Sequence, residues 1–238
     1  MRFLLVHGGW QGGWCWDGVA ERLRAAGHEV LAPTLAGHEP GATGRTDLTA
    51  TELARRLADE LLAQDERGLI AVGHSGGGPI IQLLHEFLPS RIDRLMFVDA
   101  WVLADGERVY DLLPAPLAES LQAAAGASAE RLIPMPPEFW VHGLCNDMPE
   151  EEASRWLERV VPTPDGWMSD PVRLPSFAGR TVPASYVFLA DDVAVDRSVY
   201  QACAGRLGQP TTATGPGAHK AMLSQPGPLA DALLEVCR

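Results

Sequence analysis

Apolar residues fall along this chain in two alternating patterns. In one, every position of a short run is apolar; in the other, apolar residues return every three or four positions. Residues 2–7 show the first pattern, with Phe3, Leu4, Leu5 and Val6 in succession. A run without alternation reads as a strand buried on both faces, as in a parallel sheet. Val19, Ala20, Leu23 and Ala26 then return at helical spacing, and Gly27 stops that helix. A short strand is predicted at 28–33 and a Gly/Pro/Thr loop at 34–47, followed by an amphipathic helix marked by Leu53, Leu57, Leu61 and Leu62. The third strand, 69–72, runs into a helix that reaches Phe87 and is closed by Pro89. A fourth strand covers 94–101.

The alternation lapses between 102 and 178, a stretch with many prolines, short helical runs at 115–125 and 149–160, and Trp140, Trp156 and Trp167. It resumes with a strand at 185–190, a helix at 197–204, a strand at 210–213 and a last helix at 229–236. Strands alternating with helices predict an α/β fold, with about six mostly parallel strands covered by helices on both faces. Residues 1–101 and 179–238 would form this core, and 102–178 a mainly helical cap inserted into it. Ligands of such sheets bind beyond the carboxyl ends of the strands. Gly9, Ser75, Trp101, Asp192 and His219 all fall just after a predicted strand.

Gly73-His74-Ser75-Gly76-Gly77 lies where the third strand meets its helix. Gly-x-Ser-x-Gly in that context is the pattern of a nucleophile elbow, a tight turn that exposes a serine in strained backbone. A Cβ at Gly73 or Gly77 would crowd the turn. The helix that begins at Gly76 leaves its first N–H groups unpaired near the serine, where they would stabilise negative charge on a substrate oxygen.

A serine needs a base and an acid that orients it, in the chain order Ser, acid, His. His219 follows the final strand in a Gly-rich loop and is the candidate base; His142 lies in the inserted stretch, with no strand end to hold it. For the acid, chain geometry ranks Asp192 ahead of Asp191 and of Asp99, which ends the fourth strand. The oxyanion donors would be the N–H groups of Gly76 and of Gly9, in the loop after the first strand. His7 reads as a residue that braces that loop.

Composition narrows the partners. The chain carries 19 Lys and Arg against 31 Asp and Glu, a net charge of −12, without a basic cluster. That argues against nucleic acid or an anionic membrane and for a small-molecule substrate; a homodimer is compatible with the sequence. Cys15, Cys145, Cys203 and Cys237 show no CxxC spacing, so reduced thiols in a cytoplasmic protein are expected, with no metal. The first apolar run is too short for a signal segment, and none reaches membrane-spanning length.

The segments Leu5-Val6-His7-Gly8-Gly9-Trp10, Gly73–Gly77, Phe97-Val98-Asp99-Ala100-Trp101, Asp191-Asp192 and Ala218-His219-Lys220 together resemble one branch of the α/β-hydrolase family. That branch holds methyl-salicylate-type esterases, hydroxynitrile lyases and bacterial esterase relatives, and the likeness covers nearly the whole chain. It implies the α/β-hydrolase fold, Ser75 as nucleophile, Asp192 as acid, His219 as base, Gly9 and Gly76 as oxyanion donors, and no cofactor. It also implies a cap over a mostly apolar pocket.

Lyases of this branch carry a lysine directly after the catalytic histidine, as Lys220 is here, and a threonine where this chain has Gly8. The esterases carry glycine there. Gly8 is weighed more heavily, so ester hydrolysis is expected ahead of a lyase or cyclase reaction, and Lys220 is expected to point into solvent or along the last helix. A non-enzymatic binding module is disfavoured because all three triad residues are present. Trp10, Trp101 and Trp140 are the candidate substrate-binding aromatics, suited to flat or apolar groups. Trp14 and Trp16 read as core.

Overall fold

The computed structural model describes residues 1–237. The first half holds β1 (Arg2–Val6), α1 (Asp17–Ala25), β2 (Glu29–Leu31), α2 (Ala50–Ala63), β3 (Leu69–His74), α3 (Gly77–Phe87) and β4 (Ile92–Val98). Between β4 and the next core strand lie α4 (Ala115–Ala127), α5 (Glu150–Leu157), α6 (Gly166–Ser169) and a short antiparallel pair, β5 (Leu132–Ile133) and β6 (Thr163–Pro164), which brackets α5. β7 (Ala184–Leu189), α7 (Arg197–Gly205), β8 (Thr211–Gly215), α8 (Ala221–Ser224) and α9 (Pro226–Glu235) complete the chain.

Six strands form one sheet in the order β2-β1-β3-β4-β7-β8, and each neighbouring pair is parallel. Period-two side-chain geometry explains the unbroken apolar runs. Phe3 and Leu5 point to one face and join Val72, Met96 and Val98 beneath α1 and α9. Leu4 and Val6 point to the other and join Ala71, Leu95 and Phe97 beneath α2 and α3. With both faces covered, a polar residue anywhere in the middle of β1 would be buried without water. At the start of α2, Thr49 caps the helix by accepting the Glu52 N–H at 3.1 Å.

Expected boundaries shift at several places; the fourth strand, expected at 94–101, spans Ile92–Val98, so Asp99 and Trp101 follow its end rather than lie in it. The helix expected at 149–160 spans only Glu150–Leu157, the last helix begins earlier, at Pro226, and β8 ends later, at Gly215. The β5–β6 pair has strands of two residues each, too short to leave a periodic signal. No helix among the described residues is long and apolar enough to cross a membrane.

Candidate active site

At the carboxyl end of β3 the backbone turns sharply, and Ser75 adopts φ +53, left-handed backbone that a side chain enters only under strain. Three hydrogen bonds hold the turn. Ser75 N–H donates to the Val98 carbonyl at 3.2 Å, and the Ser75 carbonyl accepts from Gly78 at 3.1 Å and from Trp101 at 3.2 Å. A Cβ on Gly73 would stand 2.6 Å from the Gly77 carbonyl oxygen, so the turn closes only with glycine there. At Gly77 the obstacle is β1, not Gly73: a Cβ would meet the Val6 carbonyl oxygen at 2.6 Å.

His219 comes from the loop after β8 and Asp192 from the loop after β7. His219 Nδ1 lies 2.6 Å from Asp192 Oδ2, and both side chains are almost wholly buried. Burial works against the Asp192 charge, but the His219 ring and its hydrogen bond hold the carboxyl below the usual range. The other Asp192 oxygen accepts the Ala194 N–H at 2.7 Å. Tyr200 brings its hydroxyl to 3.3 Å from His219 Nδ1. Asp191 is exposed and contributes only backbone, its N–H to Gly217 and its carbonyl to Asn146. Asp99 is fully buried beside Asp192, and burial followed by the Asp192 charge raises its pKa.

Ser75 and His219 line one cavity together with Gly9, Gly76, Trp10 and Trp101. It holds about 630 Å³ between its walls, part of it open to solvent. The segment between β4 and β7 supplies most of the apolar wall: Val109, Leu113, Leu117, Leu121, Phe139, Leu144, Trp167 and Met168. Trp10 ties the β1 loop to that segment, donating its indole N–H to the Ile133 carbonyl at 2.8 Å and its backbone N–H to Thr163 Oγ1 at 2.6 Å. Trp167 donates to the Gly76 carbonyl at 3.0 Å and packs edge-on against His7 and His38. His7 braces its loop as expected. Its Nε2 accepts the Leu35 N–H at 3.0 Å, which leaves Nδ1 to donate to the Gly8 carbonyl at 2.7 Å. Burial lowers its pKa to about 4, so it stays neutral.

Three expectations need correction. Trp140 does not line the cavity. It is fully buried in a small core with Met135, Leu144, Cys145 and Ala153, and its N–H is taken by the Ala153 carbonyl at 2.8 Å. Lys220 does not reach solvent. Its ammonium donates to Gln11 Oε1 at 2.9 Å and lies 5.6 Å from the centre of the Trp140 ring, and the residue lines the cavity. One neutral amide and one ring face only partly replace water around an ammonium, and burial lowers the Lys220 pKa to about 8. Trp14 is half-buried rather than core, stacked on Trp156 with Arg159 over it, whereas Trp16 is fully buried.

Tyr200, Trp167, Met168 and the leucines of α4 line the cavity and were not singled out by sequence reasoning. For Tyr200 and Trp167 a signal existed, since each is a large aromatic carrying one polar atom, but nothing in the sequence tells which cavity it faces. No cluster of His, Cys, Asp and Glu among the described residues has metal-binding geometry.

A strained serine at a strand–helix turn, with a buried His–Asp pair across the same cavity at the carboxyl edge of a parallel sheet, belongs to the hydrolase class of doubly wound folds. Comparison with known proteins gives the family: residues 3–232 match the alpha/beta hydrolase family, and the chain belongs to it. A carbendazim-hydrolyzing esterase from Nocardioides sp. is 32% identical over 200 residues, covering 72% of this chain and 83% of that one. Methylesterase 7 of Arabidopsis thaliana is 36% identical over 104 residues, covering 42% of this chain and 40% of that protein. Among solved structures, an extracellular alpha/beta-hydrolase from a Paenibacillus species superposes with a TM-score of 0.94 at 28% identity, covering 99% of this chain and 98% of that one. That structure is described as sharing structural and functional homology with tobacco salicylic acid binding protein 2.

Proposed function

We propose that the chain is a serine esterase that cleaves a carboxylic ester of a small, aromatic or apolar substrate through an acyl-enzyme. The observation that carries this reading is the His219–Asp192 pair, 2.6 Å apart and buried, facing the same cavity as the strained Ser75. Ser75 attacks the ester carbonyl while His219 takes its proton, and Asp192 holds the ring with Nδ1 protonated and Nε2 free to act. The N–H groups of Gly9 and Gly76 receive the developing oxyanion. His219 then gives its proton to the leaving alcohol, and a water repeats the sequence to release the acid. The β4–β7 segment acts as a cap, and its leucines with Trp10, Trp101 and Trp167 take the apolar part of the substrate. The esterases and methylesterases among the relatives support this reaction class.

Lys220 favours a second reading, in which Ser75 and His219 only relay a proton and the ammonium stabilises a leaving anion, as in a lyase. Gly8 weighs against it. A Cβ there would stand 2.9 Å from the Ser75 Cβ and 3.1 Å from the His74 carbonyl oxygen, so the threonine of the lyases does not fit this backbone unshifted. Assay of p-nitrophenyl and aryl methyl esters beside a mandelonitrile-type cyanohydrin separates the readings. Ester turnover, with an organophosphonate adduct on the Ser75 peptide by mass spectrometry, is expected. Cyanohydrin cleavage without ester turnover overturns the esterase reading.

A further inference from the structure

One buried ionisable side chain has no part in the reaction just described. Asp99 follows β4 with φ +32, and its side chain is wholly shielded from solvent. Its Oδ2 accepts the Leu189 N–H at 2.9 Å, and no N–H or O–H reaches its Oδ1. What faces Asp99 instead is Asp192: the bonds from Asp99 N–H to Val187 and from Leu189 N–H to Oδ2 hold the carboxyl at the end of the neighbouring strand β7, just before Asp192, whose charge works against its own.

Two neighbouring carboxylates shielded from water do not both ionise, because each charge raises the cost of the other. The surrounding groups decide which keeps its proton. Asp192 has the His219 ring and the Ala194 N–H, two donors that favour its charge. Asp99 has only one backbone N–H and the more distant Arg197 of α7, whose guanidinium is spent on the Leu189 carbonyl. Tyr186 of β7 and Tyr200 of α7 also face the pair and stay protonated, pushed well above their ordinary range by burial. The proton therefore sits on Asp99.

We propose that Asp99 is a positioning residue, whose neutral carboxyl donates an O–H···O⁻ hydrogen bond to Asp192 and so locks that carboxylate against His219 Nδ1. With donors from Ala194, His219 and Asp99, the Asp192 carboxylate has no free rotation left. Bonds from a neutral acid to a carboxylate are among the stronger hydrogen bonds in proteins. Asp99 never touches substrate and moves no proton during turnover. This inference rests on the triad reading above.

The test compares Asp99→Asn and Asp99→Leu with the wild type and Asp192→Asn, using p-nitrophenyl butyrate between about pH 6 and pH 10.5. An asparagine amide keeps the donor but cannot ionise; leucine loses both. Asp99→Leu is expected to lose kcat by at least about tenfold with KM within roughly twofold, and Asp99→Asn to recover most of that loss. The wild-type rate should fall on the alkaline side as Asp99 ionises, and Asp99→Asn should not show that fall. Wild-type kcat in Asp99→Leu overturns the proposal. So does an alkaline fall that survives in Asp99→Asn, or its absence in the wild type, and both stay readable if the leucine variant does not fold. Failure of the triad reading looks different: Asp192→Asn would then keep its rate, and organophosphonate would not label Ser75.

Discussion

On one side of the His219 ring the polar atoms have partners: Asp192 accepts from Nδ1 and from the Ala194 N–H, and Tyr200 closes over the pair. On the other side lie groups equally buried and poorly paired. The His74 ring sits 4.5 Å from the His219 ring with both nitrogens unpartnered, Trp16 Nε1 and Gln11 Nε2 have no acceptor, and Lys220 has Gln11 alone. The first side is built to hold a charge in one place. The second is built from bases that burial keeps from gaining charge: His74 is held well below its ordinary pKa, and His7 and His38 are lowered to about 4 and about 3. The contrast shows how one ring can be oriented strongly from one flank without competing hydrogen bonds on the other.

The largest effect should come from breaking the paired side. Asp192→Asn is expected to cut kcat by about 10⁴, since the ring loses the acceptor that fixes its tautomer, whereas Asp191→Asn should stay within a few-fold. Steady-state kinetics on both variants checks this, and reversed effects would transfer the role to Asp191.

Acid should break the other side next. His7, His38 and His74 have folded pKa values below the ordinary 6.5, so the unfolded chain binds more protons below that pH. Their stabilising contribution is complete above about 6.5 and is lost as pH falls. Three such groups amount to about 3 kcal/mol over the first pH unit below that point. Urea melts at pH 7.5, 6.5 and 5.5 measure it, and equal midpoints would show that these rings gain partners on protonation.

Trp140 separates packing from recognition. Its burial predicts a stability loss of about 3–5 kcal/mol in Trp140→Ala, with relative rates among esters preserved. A changed substrate preference at unchanged melting temperature would return Trp140 to the pocket.

The smallest effect sharpens the contrast through Lys220. A pKa lowered from 10.5 to about 8 means that the charged lysine costs the folded state about 3 kcal/mol below pH 8. That cost disappears as pH rises from 8 to 10.5. Lys220→Met should therefore melt higher at neutral pH, by an amount that shrinks over that interval, and should keep ester hydrolysis within a few-fold. Loss of turnover would assign the ammonium a role in the chemistry.

Much of the site could be read from the sequence because its signals are local. The glycines around Ser75, the positions of Asp192 and His219 after strand ends, and the His7 loop each depend on a few neighbouring residues. Lys220 and Trp140 were misplaced for a shared reason. A lysine is expected in water and a tryptophan after a loop is expected to meet a ligand, but each supplies part of the other's burial, a pairing that 79 intervening residues conceal. Asp99 was visible as a candidate acid. Its protonation state depends on Asp192, more than 90 residues further on, and no local pattern carries that.

The segment inserted between β4 and β7 also orders events during synthesis. Leu95 pairs with Ala184, so the sheet cannot extend past β4 until 89 further residues have been made. Such distant strand pairing is slow, because the loop entropy is lost before the contact forms. Ser75 therefore leaves the ribosome on a four-stranded part of the sheet long before Asp192 and His219, its partners in the proposed triad, exist. On the proposed mechanism, a nascent or truncated chain ending before β7 carries an elbow serine without its base and is expected to be inert toward esters.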